Sequence, residues 1–147
     1  MAGSLLPACA LLMCVCDHWP PPAQHGLVVD GRTIEVEPGV GRDFPGFPSR
    51  EKPLVLLVEL RAPDSLPLPQ GLAATHAWVV HGSAVWETDL IPSPDTTGRP
   101  ACETSCYAGG GPDWGPDMAV DVTVRVVQPG RGEWYILVPG ILITKFN

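Results

Sequence analysis

A chain of 147 residues with net charge −7, from nine Lys and Arg against sixteen Asp and Glu, has the size of one domain and little means of binding a phosphate backbone. No cluster of Lys or Arg offsets that balance, so nucleic acid is not expected as a partner. Eighteen Pro and sixteen Gly would suit a disordered chain, but 45% apolar content and five Trp supply a core, and the Pro and Gly fall between the apolar runs.

From Met1 to Cys16 no side chain is charged, and Leu5-Leu6-Pro7-Ala8-Cys9-Ala10-Leu11-Leu12-Met13-Cys14-Val15-Cys16 has the length of the apolar core of a secretion signal. It is too short to span a bilayer. Asp17, His18, Trp19 and the run Pro20-Pro21-Pro22 follow, and this stretch to residue 26 reads as a stiff extended tether. The arrangement resembles a bacterial lipoprotein leader, in which a cysteine closing the apolar run is acylated and becomes the mature N-terminus. Cys9, after Leu6-Pro7-Ala8, lies too close to Met1, so the resemblance points to Cys16. The domain organisation expected is therefore a leader over 1–16, a tether over 17–26 and a folded domain over 27–147.

Within that domain, Leu27-Val28-Val29 and Thr33-Ile34-Glu35-Val36 flank Asp30-Gly31, the dipeptide of a type I′ hairpin turn. Residues 37–53 read as an irregular loop that includes Phe44 and Phe47. Leu54-Val55-Leu56-Leu57-Val58-Glu59-Leu60 predicts a buried central strand. A second hairpin is expected from residues 75–80 and 84–90, which carry Trp78 and Trp86 on either side of His81-Gly82-Ser83.

Residues 92–116 form the longest predicted break, and long loops in compact domains are commonly functional. Tyr107, Asp113 and Trp114 within it, and Asp117 just beyond, are the candidate binding residues. Cys102 and Cys106 lie in the same stretch, and in an exported chain they read as a local disulfide that braces the loop. After it, Val120, Val122, Val124 and Val126 alternate with Asp121, Thr123 and Arg125, the pattern of a strand with one wet face. Pro129-Gly130 and Pro139-Gly140 read as turns around the last two strands.

Strand-like runs joined by turn chemistry, with no amphipathic helix of useful length, predict an all-β domain: a single antiparallel β-sandwich of about seven strands with Greek-key connections. The shape resembles the immunoglobulin-like or transthyretin-like domains of bacterial envelope proteins. A second likeness, to small uncharacterised bacterial envelope lipoproteins, rests on Gly109-Gly110-Gly111-Pro112-Asp113-Trp114-Gly115-Pro116 ahead of the valine-rich strand. It implies an exported, envelope-associated protein and no activity.

Chemistry has few candidates. His76 and His81 differ by five positions, which puts them on opposite faces of one strand. Ser83 follows Gly82 without the glycine frame of a nucleophile elbow and reads as a turn serine. Cys102 and Cys106 lack a second Cys or His pair for zinc, and Asp113, Asp117 and Asp121 lack the spacing of a calcium loop. No catalytic residue, metal ligand or cofactor is expected. The reading is a non-enzymatic envelope protein that presents the 92–116 loop to a protein or a glycan, touching the membrane only through its lipid. The alternative is a small envelope hydrolase or metal-binding enzyme using His76 or His81 with nearby acids.

Overall fold

The computed structural model describes residues 19–42, 54–94 and 98–145. Ten strand segments run through them: β1 (Leu27–Val29), β2 (Arg32–Arg42), β3 (Leu54–Arg61), β4 (Ala73–His81), β5 (Ala84–Asp89), β6 (Ile91–Pro92), β7 (Glu103–Gly111), β8 (Ala119–Gln128), β9 (Gly132–Leu142) and β10 (Thr144–Lys145). Seven of them are six residues or longer, and no helix occurs among the described residues. One sheet has the order β1-β2-β3-β7-β6, with β10 alongside β2; the other has the order β5-β4-β8-β9. Neighbouring strands are antiparallel, apart from β10 on β2.

Both sheets bury one face in a single hydrophobic cluster. It joins Leu54, Leu56, Val58 and Leu60 of β3 to Ala77 and Val79 of β4 and to Val120, Val122, Val124 and Val126 of β8. The four valines are the inward half of the alternation seen in the sequence.

Turn chemistry sets the registers. Asp30 and Gly31 both have positive φ, 51° and 77°, which the type I′ turn requires, and Leu27 pairs with Ile34 across it. Gly82, at φ 58°, opens the two-residue turn that pairs His81 with Ala84. Pro129 and Gly130, the latter at φ 77°, make a type II turn closed by the Arg131 N–H donating to the Gln128 carbonyl at 2.9 Å. Ala73 to Val80, whose first residues favour helix, is strand, as its β-branched and aromatic half demands.

Three expectations fail. Residues 37–42, expected to begin an irregular loop over 37–53, continue β2 in register with β3, and Phe44 and Phe47 lie outside the described residues. The break expected over 92–116 contains β7, which lies between β3 and β6 inside the first sheet. Its small residues hide it from a propensity reading, yet they have a steric purpose: a Cβ on Gly111 would come within 2.7 Å of the Trp86 indole of β5. Cys106 and Ala108 supply the buried face instead of large aliphatic side chains. The third failure is Pro139-Gly140, which is not a turn but a bulge inside β9. There Val120 pairs with Ile141 and Val122 with Val138, Gly140 sits at φ 70°, and its N–H donates to the Asp121 carboxylate at 3.0 Å.

The 62–71 crossover is pinned from outside. Arg32 makes a two-pronged contact with Asp64, at 2.9 and 3.0 Å, and also donates to the carbonyls of Leu66 and Pro67. The hydrogen bond from Arg32, followed by the Leu66 N–H, holds the Asp64 carboxyl below its ordinary range.

Candidate functional site

Alternation along β4 sends Ala77 and Val79 into the core and His76, Trp78 and Val80 to the outer face of the four-stranded sheet. Strand register then fixes their neighbours. Asp89, His76, Arg125 and Tyr135 form one row across β5, β4, β8 and β9, and Glu87, Trp78, Thr123 and Leu137 form the next.

The rows are chemically dense. His76 Nδ1 lies 2.7 Å from an Asp89 carboxylate oxygen, and Nε2 lies 3.0 Å from one of Glu87. The imidazole also meets the Trp78 ring edge-on, with centroids 4.7 Å apart, and Tyr135 approaches the same indole at 5.9 Å. Tyr135 donates its hydroxyl hydrogen to Glu133, which raises the phenol pKa above its ordinary value. Arg125 lies 3.5 Å from the other Glu133 oxygen. Trp78 is only 7% exposed although it is on the outer face, and its Nε1, like Arg125 Nε, has no hydrogen-bond partner among the described residues.

This face is poorly built for acid–base catalysis. A general base needs one ring nitrogen turned to the nucleophile while the other is oriented by an acid. In His76 both nitrogens are taken by carboxylates. His81 points the other way, with Nδ1 3.1 Å from the Ala119 carbonyl and its ring 5.8 Å from Trp114. The two histidines do not meet, and neither lines any of three cavities formed by described residues.

No family model, curated protein or solved structure matches this chain. The outer-face rows must therefore be read from their chemistry alone.

The residues singled out in the sequence are placed apart. Tyr107 is in β7, opposite Leu57 and Ile91, and not in a loop. Asp113, Trp114 and Asp117 do share the 112–118 connection, and that connection is tied down at both ends. Arg42 lies 2.9 Å from the Asp113 carboxylate and donates to the Trp114 carbonyl at 3.0 Å, while the Asp117 N–H donates to the Ile143 carbonyl at 2.9 Å. Trp114 is half-buried and packs against the core, so it closes one end of the domain. Asp121 is engaged with Gly140, and among the described residues no group of three or more His, Cys, Asp or Glu is placed to hold a metal ion.

The disulfide expected between Cys102 and Cys106 is absent, and both cysteines are free. Cys106 sits in extended β7, where the three steps from Glu103 already cover about 10 Å, while a bridge needs Cα atoms within about 7 Å. Its thiol is buried, donates weakly to the Val58 carbonyl at 3.7 Å and is pushed up to about 12 by burial. That environment makes it inert, not nucleophilic. Cys16 lies outside the described residues.

The outer-face rows were missed in the sequence although their signal was present. Once the hairpin registers are fixed, the odd–even parity of His76 and Trp78, Glu87 and Asp89, Thr123 and Arg125, and Glu133 and Tyr135 brings all eight to one face.

Proposed function

We propose that this chain is a non-enzymatic accessory domain of the bacterial cell envelope, exported, anchored through a lipid on Cys16, and folded as a Greek-key sandwich of the immunoglobulin-like or transthyretin-like kind. Its partner is a protein or a glycan. The uncharged apolar stretch ending at Cys16 supports the export half of the reading. The binding half moves from the 92–116 stretch, which is largely strand, to the outer face of the four-stranded sheet, where carboxylates, an arginine and a tyrosine surround a buried tryptophan.

The observation that carries the non-catalytic reading is His76 with a carboxylate on each ring nitrogen. The same histidine is what favours the alternative of a small hydrolase, since a His–Asp contact is half of a nucleophile-activating pair. The two readings separate in one assay. With chromogenic ester, amide and phosphoester substrates, wild type and His76→Ala should give the same background rate, and a turnover that His76→Ala abolishes would overturn the proposal.

A further inference from the structure

The outer face of the four-stranded sheet is partly roofed by the chain itself. Thr123 lies on that face, yet only 2% of it is exposed. Trp19, which is 40% exposed, and Pro20, Pro21, Pro22 and Ala23 line an open groove of about 340 Å³ together with Val80, Asp121, Thr123 and Leu137. Residues 19–24 of the stretch read in the sequence as a stiff extended tether thus lie along the domain as an arm.

Its backbone attachment is concentrated at one residue. The Gln24 N–H donates to the Tyr135 carbonyl at 2.9 Å, and the Gln24 carbonyl accepts from the Leu137 N–H at 2.8 Å, a parallel bridge centred on Ile136. Pro20 to Pro22 have no N–H to donate; Pro20 and Pro21 are half-buried and Pro22 is exposed. Their stiffness lowers the entropy lost on docking.

The join between arm and domain has room to turn. His25 and Gly26 are exposed, nothing lies within 4 Å of a Cβ built on Gly26, and both residues border a second cavity of about 510 Å³ between β2 and β9. The receiving edge is also selective. Leu137 offers its N–H outward, but Pro139, two residues on and on the same side of the strand, has none, so a long foreign strand cannot pair there.

We propose that the arm is exchangeable: the face made by Val80, Thr123, Leu137 and the outer edge of β9 is a receptor for the Trp-Pro-Pro-Pro-Ala-Gln segment, and the arm of a second copy fills it in a reciprocal dimer. Every contact made within one copy can be remade between two, which is why exchange of a terminal element costs little. Closure within one copy competes at an effective concentration of order mM, so exchange emerges as protein concentration approaches that range. The inference stands whether or not Cys16 is lipidated.

Light scattering of the full chain under reducing conditions tests it. The mass should climb from one copy toward two as the concentration approaches about 1 mM. Trp19→Ala and Gln24→Pro, each checked for a folded thermal melt, should stay at one copy over the same range. Excess synthetic peptide of residues 17–26 should return wild type to one copy. A wild type that stays monomeric throughout, a dimer that survives in Trp19→Ala, or a dimer that the peptide leaves intact would overturn the exchange.

Discussion

Trp78→Ala should lose about 3–5 kcal/mol of folding stability, a large share of the roughly 5–15 kcal/mol that a domain possesses. The expectation is unusual because Trp78 lies on the outer face of its sheet and not in the shared core. Its indole is nevertheless 7% exposed, wedged between His76 and Tyr135 and flanked by Thr123 in the same row. Truncation would leave a hole beneath those rings that the rigid cross-strand rows cannot close. Trp78→Phe separates packing from polarity. It keeps an aromatic ring and removes an Nε1 that has no hydrogen-bond partner among the described residues, so its cost should stay below about 1.5 kcal/mol. Urea midpoints of the two variants are the measurement, and equal losses would show that the indole is not the packing element inferred here.

The second large effect concerns Cys106. With its thiol pushed up to about 12 from an ordinary 9.0 by burial, the reactive thiolate is scarcer by about a thousandfold. Alkylation of Cys106 by iodoacetamide in the native protein should be slower than in the urea-unfolded chain by at least about that factor. The same shift predicts a pH dependence of stability. Between about pH 9 and 12 the folded state keeps a proton that the unfolded state gives up, so stability is full below pH 9 and falls as pH rises through that window, by up to about 1.4 kcal/mol per unit. Cys106→Ala should reduce that alkaline slope to the smaller part left by Tyr135, whose phenol Glu133 also raises. Rapid alkylation in the native state, or a slope unchanged in Cys106→Ala, would contradict the burial argument.

What the sequence disclosed depended on how strongly local chemistry constrains the chain. Asp30-Gly31 and Gly82 dictated their hairpins, and the valines of β8 dictated which face is buried, because positive φ and strict alternation leave few alternatives. β7 was illegible for the opposite reason. Ser105, Ala108 and the glycines carry weak strand preference, and the one steric demand among them, room at Gly111 for Trp86, comes from a residue of the other sheet that only the fold brings near. The disulfide expectation failed with it, since reading residues 102–106 as loop made a short bridge geometrically available. The candidate site was latent in parity, but parity becomes contact only when registers are known. Asp89, His76, Arg125 and Tyr135 come from four strands.

Freeing Cys102 and Cys106 also shifts the weight of the export argument. An even, bonded pair no longer supports an oxidising compartment, so the reading rests on the apolar segment and Cys16. The arm sharpens what an anchor there would do: only Asp17 and His18 separate Cys16 from Trp19, which lines a groove beside the four-stranded sheet. An acylated Cys16 would hold that face close to the membrane.

Intact-mass analysis of membrane and soluble fractions from the producing cell, alkylated after denaturation with and without reduction, tests the central claim most directly. The account predicts a membrane-associated chain that begins at an acylated Cys16 and carries two alkylatable thiols, Cys102 and Cys106, whether or not reductant is added. A soluble chain that begins at Met1 with all five cysteines alkylated would contradict it.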